Sequence, residues 1–156
     1  MATAPKITVR PARREDVAAI VALLADDGLG AGREVVGDPP EPAYLEAFDR
    51  IAANPRALLA VAEDAGGRSV GTLQLTFIAG LSNQGAGLAL VSAVRIASDL
   101  RGQGLGEILM HWAMDEARVR GCRQMELLSH AGRTDAHRFY ERLGFEKSHV
   151  GMKRAL

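Results

Sequence analysis

Apolar residues recur in some segments with period two and in others every three or four positions, and the switches between the two spacings divide the chain into elements. Ile7 to Arg10 predicts a short strand, and Val17, Ile20, Val21 and Leu24 form a helical stripe ending near Gly28. Gly28 to Pro42 is rich in glycine and proline and reads as a loop. A second helix, about Pro42 to Ala53, carries Tyr44, Leu45, Phe48 and Ile51. Strands follow at Ala57 to Glu63 and Val70 to Ile78, the latter alternating Leu73, Leu75 and Phe77 against Thr72, Gln74 and Thr76. Between them Asp64-Ala65-Gly66-Gly67 is a hairpin turn, and Gly80 to Gly87 makes the next turn. A fourth strand, Ala89 to Ile96, is interrupted only by Ser92 and Arg95. Ile108, Leu109, Trp112, Ala113 and Ala117 then fall at helical spacing, followed by a strand at Gln124 to Leu128. Ala136, Phe139, Tyr140 and Leu143 form one face of a further helix, and a last strand is expected from Phe145 to about Lys153. The order β-α-α-β-β-β-α-β-α-β predicts an α/β sandwich around a mixed central sheet of about six to seven strands with about four helices.

Bulk properties add a setting. A chain of 156 residues is expected to form one domain, residues 1–156, with a sizeable core. Nineteen acidic and nineteen basic side chains cancel, so no global field recruits nucleic acid or anionic lipid. Cys122 stands alone, which excludes an internal disulfide and suits a reducing compartment. No apolar run approaches a membrane span and Met1 to Lys6 has no leader-like apolar stretch, so a cytoplasmic protein is expected. His111, His130, His137 and His149 show no ligand spacing with other donors, and no metal is expected.

Candidate chemistry begins at Arg101-Gly102-Gln103-Gly104-Leu105-Gly106, between the fourth strand and the helix after it. Glycines let the backbone turn several amide N–H groups into one concavity, and the helix adds its unpaired N-terminal donors and the positive end of its dipole. Such a site suits a phosphate or pyrophosphate. It is not a Walker loop, because it ends Gly-Leu-Gly-Glu without the lysine and hydroxyl that a nucleotide and magnesium need. Nor is it a dinucleotide fingerprint, since Glu107 stands where the last glycine belongs and no βαβ unit opens the chain.

A second motif runs Ala136-His137-Arg138-Phe139-Tyr140-Glu141-Arg142-Leu143-Gly144-Phe145, with Gly144 placed to cap the helix. Taken together, the two motifs resemble the GNAT superfamily of N-acetyltransferases. The acetyl-coenzyme A signature Arg/Gln-x-x-Gly-x-Gly/Ala is matched by Arg101, Gly104 and Gly106, and Ala-x-x-Phe/Leu-Tyr-x-x-Leu-Gly-Phe is matched from Ala136 to Phe145. The opening Ile7-Thr8-Val9-Arg10-Pro11-Ala12 with Arg14-Glu15-Asp16 is similar to the family's first strand and helix.

The resemblance implies transfer of the acetyl group of acetyl-coenzyme A to an amine. It places the pantetheine arm between splayed fourth and fifth strands, hydrogen-bonded to the main chain at Val94 and Ile96. The pyrophosphate falls on the amides of Arg101, Gly102, Gln103, Gly104, Leu105 and Gly106. Tyr140 falls at the family's general acid. A tyrosine pKa of ~10 against a thiol of ~8.5 makes full proton transfer uphill by ~2 kcal/mol, so a hydrogen bond to the developing sulfur anion is an equal alternative. Arg133 stands where many members carry a cofactor-binding asparagine, and it suits a coenzyme phosphate. Homodimers are common in the superfamily, and the last strand offers an edge for pairing.

One departure bears on mechanism. Where many members place a glutamate base, two residues before Val94, this chain has Ser92. An alkylammonium of pKa ~10 is neutral to about one part in a thousand at pH 7, a cost of ~4 kcal/mol if nothing removes its proton. The base lies elsewhere (Glu63, Glu34 and His130 are candidates), or water relays the proton through Ser92, or the acceptor amine is weakly basic. The leading reading is an N-acetyltransferase acting on a small primary amine admitted between the Gly28 to Pro42 loop and the Gly80 to Gly87 turn. Its alternatives are a cofactor-binding sensor without turnover and a protein or peptide N-acetyltransferase.

Overall fold

The computed structural model describes residues 5–156, so Met1–Ala4, part of the segment read for a leader, lie outside the described residues. Five strands form one sheet in chain order: β1 (Ile7–Pro11), β2 (Ala57–Asp64), β3 (Ser69–Ile78), β4 (Gly87–Ile96) and β5 (Cys122–Leu127). The first four pair antiparallel, with Val9 opposite Ala62, Ala57 opposite Thr76 and Gln74 opposite Ser92. The last two pair in parallel, with Ala89 opposite Met125. A parallel pair needs a crossover, and α4 (Leu105–Val119) supplies it. The sheet is therefore mixed, as the order of elements predicts.

Each face of the sheet buries against helices because the strands alternate. Leu73, Leu75, Val91 and Ala89 point to one side and are closed by Leu105, Leu109, Met110 and Ala113 of α4. On the other side α1 (Val17–Ala25) and α2 (Pro42–Ala52) lay Val17, Val21 and Phe48 over Leu59. Thr72 is fully buried on that second face, and its hydroxyl donates to the Ala60 carbonyl at 2.8 Å, which removes the penalty of a buried polar group. The entry to α1 is fixed by charge. Asp16 accepts the Arg13 amide at 2.6 Å and the Arg10 guanidinium at 2.7 Å, and Arg10 also reaches Glu63 of β2.

Two expectations change. Four helices become five among the described residues, because the turn at Gly80 to Gly87 contains a single helical turn, α3 (Ser82–Gly85), with Asn83 and Gln84 in left-handed conformation. The strand expected from Phe145 to Lys153 does not form, so among the described residues the sheet has five strands rather than six to seven, and residues 146–156 run exposed without regular structure after α5 (Thr134–Arg142). The alternation of Val150 and Met152 supplies a strand's side-chain pattern, but a strand also needs a ladder for its backbone donors and acceptors. Gly151 passes Leu128 closely enough that a Cβ there would lie 3.0 Å from its methyl, and this contact is made beyond the end of β5. The edge expected at a last strand accordingly falls to β5.

Candidate active site

The fourth strand is bent where the chemistry is expected. Gln74 faces Ser92 and Thr72 faces Arg95, so one residue of β3 lies opposite two of β4, Ala93 and Val94. This is a β-bulge, and Ala93 sits in it at φ 54, the left-handed region that a residue with a Cβ enters at a cost. Pairing of β4 with β5 stops at Val91 and Leu127. Beyond that point the two strands diverge, leaving Ser92 to Ile96 with an edge that no strand covers among the described residues. Ala97 donates to Val70 at 2.9 Å, so by alternation the main chain of Ile96 and Val94 faces the open edge. Their side chains pack on the α4 core, and the Val94 carbonyl accepts from Nη1 of Arg95 at 2.9 Å.

Six residues on, the glycine loop turns into α4. Gly102 (φ 75) and Gly104 (φ 83) are left-handed, and a Cβ at either would meet nothing, so the glycines serve backbone conformation and leave the outer side of the turn clear. Leu105, 1% exposed, anchors the first turn of α4 in the core and aims its unpaired amides outward. Gly106 serves packing instead, since a Cβ there would lie 3.2 Å from Cζ of Phe139, and its absence lets α5 approach α4. The Arg101 side chain turns back from the loop, donating to the carbonyls of Ile96 at 3.1 Å and of Asp26, while Gln103 reaches the Asp99 carbonyl at 3.3 Å. What the loop offers an anion is therefore main-chain N–H.

Phe139, Tyr140 and Phe145 form an aromatic group at the foot of α5, with Tyr140 edge-on to Phe139 at 5.1 Å and to Phe145 at 5.8 Å between ring centroids. Burial pushes the Tyr140 hydroxyl above the usual tyrosine range, against the opposing pull of the Arg133 and Arg95 charges. The phenol stays protonated and able to donate, in an electropositive setting.

Arg95 and Asp27 were not singled out by sequence reasoning. Asp27 follows α1, and its Oδ1 accepts the amides of Leu29 at 3.0 Å and of Gly30. Its Oδ2 lies 2.9 Å from Nε of Arg95 and 4.0 Å from Nη1 of Arg133, which precedes α5. The group bridges the mouth of the splay. Burial raises the Asp27 pKa, but the Gly30 amide, the charges of Arg95 and Arg133 and the Leu29 amide outweigh it and hold the carboxylate low. The one sequence signal was an arginine inside an otherwise apolar strand.

The candidates for a base separate clearly. Glu63 lies on β2 opposite Thr8, two strands from β4 where the splay opens, and its hydrogen bond from Arg10 holds it below the usual range. His130 is exposed, and its Nδ1 accepts the Gly132 amide at 3.1 Å within its own loop. Glu34 accepts the Tyr44 hydroxyl at 2.8 Å. Tyr44 in turn lines a cavity of about 140 Å³ between α1, α2 and the sheet, with Phe48, Gln74 and Ala93 among its other walls. Of the three carboxylate and imidazole candidates, Glu34 is thus the one linked to a space that reaches the bulge. Ser92 is exposed on β4 beside it.

A five-stranded mixed sheet with a bulged, splayed fourth strand, a glycine loop opening the crossover helix and a tyrosine on the next helix is the arrangement that the resemblance to the GNAT superfamily implies. Residues 18–145 match the model of the Acetyltransferase (GNAT) family, and the chain belongs to that family. It is an acetyltransferase of a family whose cosubstrate is acetyl-coenzyme A. The chain is similar to a structure described as a transcriptional regulator from Bacillus halodurans C-125, at 41% identity over 97% of this chain and 100% of that one, with a TM-score of 0.92. A putative acetyltransferase from Agrobacterium tumefaciens str. C58 shares the fold at 21% identity over 96% of this chain and 99% of that one, with a TM-score of 0.84. Aminoalkylphosphonate N-acetyltransferase of Salmonella typhimurium is 46% identical over 57 residues, which span 36% of this chain and 37% of that protein. Among the described residues no helix is long and apolar enough to cross a membrane.

Proposed function

We propose that this chain, as a single domain, transfers the acetyl group of acetyl-coenzyme A to the primary amine of a small molecule by direct attack on the thioester. The observation that carries the reading is the coincidence of the β4 bulge with the end of β4–β5 pairing, which opens a main-chain edge between the glycine loop and Tyr140. The pantetheine lies along Val94 and Ile96 and the pyrophosphate on the amides of Arg101 to Gly106. Arg133, at the mouth of the splay, borders both the cofactor arm and the acceptor. The amine nitrogen attacks the carbonyl carbon and the carbonyl electron pair moves to oxygen, where a main-chain N–H at the bulge stabilises it. Collapse expels the coenzyme thiolate, to which Tyr140 donates a hydrogen bond or its proton, and the ammonium proton leaves to solvent through Ser92 or to Glu34. The partly matching relative, named for N-acetylation of a small aminoalkyl compound, supports a small acceptor over a protein one. A cytoplasmic setting and a homodimer belong to the same proposal.

The test is thiol release from acetyl-coenzyme A across arylamines, polyamines, amino acids and short peptides, with Tyr140→Phe alongside. A small primary amine should be turned over and the variant should lose turnover while keeping cofactor affinity. Release only with peptides would reassign the acceptor. Silence throughout with intact coenzyme binding would leave the sensor alternative.

A further inference from the structure

Charge at the mouth of the splay is out of balance. The side chains of Arg95 and Asp27 are 12% and 11% exposed, and their Nε and Oδ2 atoms lie 2.9 Å apart. Their alignment is not that of a hydrogen bond, so both atoms are buried without one. Arg133 reaches the same Oδ2 at 4.0 Å, and Arg33, from the loop after α1, is near enough for its charge to act on Arg95. Two guanidinium groups thus share one carboxylate, with the Arg33 charge adding to the repulsion on Arg95, and the other carboxylate oxygen is already committed to the Leu29 and Gly30 amides. Burial lowers the Arg95 pKa and Asp27 does not make up the loss, which is the signature of a buried cation short of an anion.

Position decides which anion. Arg95 faces Thr72 across the sheet, and Thr72, Gln74 and Ala93 line the cavity on the α1–α2 side, so Arg95 projects on the side of that cavity. The glycine loop that would take the coenzyme pyrophosphate starts at Arg101, past the end of β4. Arg95 stands two residues beyond the left-handed Ala93, ~7 Å along an extended strand. We infer that the acceptor is a short amine carrying its own anionic group, a phosphonate, phosphate, sulfonate or carboxylate, which Arg95 and Arg133 hold while the amine faces the bulge and Tyr140. Bidentate guanidinium geometry suits such oxyanions, and with two arginines in place little further ordering is needed on binding. This inference rests on the reading of the chain as a small-amine acetyltransferase.

The test compares 3-aminopropylphosphonate, taurine and β-alanine with propylamine, ethanolamine and 1,3-diaminopropane as acceptors. The anionic amines should exceed their neutral and cationic counterparts by at least 100-fold in kcat/KM. Arg133→Gln and Arg95→Gln should each cut that preference at least tenfold, through acceptor KM, and Arg95→Gln should keep its acetyl-coenzyme A KM within about twofold of the parent. Arg95 is buried, so the exposed Arg33→Gln is included as a variant that keeps the fold and should weaken the preference less. Equal rates on neutral and anionic amines would overturn the inference and leave acetyl transfer standing. A rise in acetyl-coenzyme A KM with unchanged acceptor ranking would assign the arginines to the cofactor and overturn it too. Calorimetry with 3-aminopropylphosphonate on the coenzyme A-loaded protein separates the remaining case. Binding that Arg133→Gln abolishes, without turnover of any amine, would uphold the anion site and defeat the transfer reading; no binding would defeat the anion site.

Discussion

At the scale of single residues, Tyr140 is the group whose environment sets a measurable pH behaviour. Its hydroxyl is raised by burial, so it keeps its proton further into alkali than a free tyrosine. The acceptor amine must lose its proton before it attacks. We therefore expect kcat/KM to climb about tenfold per pH unit towards the amine pKa of ~10, with no descending limb below about pH 10. A downturn near pH 8 would show that another group donates to sulfur. Tyr140→Phe should lower kcat by about 10²-fold or more at every pH, with coenzyme affinity unchanged.

Asp16 gives the corresponding stability prediction. Burial would raise its pKa, but the Arg10 hydrogen bond, the Arg13 amide and both arginine charges outweigh it, and the net shift is downward. A carboxylate depressed on folding contributes stability that is present above its unfolded pKa of ~3.9 and is lost as pH falls through the folded value. Asp16→Asn should cost on the order of 1–2 kcal/mol at pH 7, read as a lower urea midpoint, and the difference should vanish in acid. Tyr140 is a candidate from the sequence because a local motif carries it, and Arg133 because it stands seven residues before that tyrosine where many members of the family carry an asparagine. Asp27 and Arg95 are not, because each is unremarkable beside its chain neighbours and only the packing of α1 onto β4 brings them together.

At the scale of elements, β4 shows what a periodic pattern reveals and what it hides. The apolar run from Ala89 to Ile96, interrupted only by Ser92 and Arg95, predicts the strand, yet the extra residue at Ala93 leaves the sequence looking like ordinary β. No glycine marks the bulge, so neither the bend nor the re-aimed main chain was visible. The glycine loop was visible, because Gly102 and Gly104 are residues that a left-handed backbone favours. If the bend is what prepares the site, residue 93 should be sensitive to branching rather than to size alone. Ala93→Gly relieves the left-handed strain and should retain turnover and thermal midpoint. Ala93→Val forces a β-branched residue into that region and should cost about 1–2 kcal/mol and most of kcat. Equal activity for the two variants would show that the bulge is not needed in this form.

For the whole molecule, the departure from the sequence-based expectation lies at the far end of the chain. A last strand is expected from Phe145 to about Lys153, but backbone pairing depends on a neighbour that no local pattern encodes. Val150 and Met152 are 88% and 91% exposed, so the segment adds almost no buried apolar surface to the fold. All the residues proposed for the site lie before it, from Asp27 to Tyr140. Deleting residues 148–156 should therefore shift the thermal midpoint by less than about 2 °C, since stability follows apolar area removed from water, and should leave thiol release unchanged. A homodimer that persists in the deleted protein would then be held by another surface, with the uncovered edge of β5 the first to examine. A fall of about 5 °C or more, accompanied by dissociation in sedimentation, would instead mean that a second copy covers Val150 and Met152 in solution, and that the missing ladder is supplied between chains.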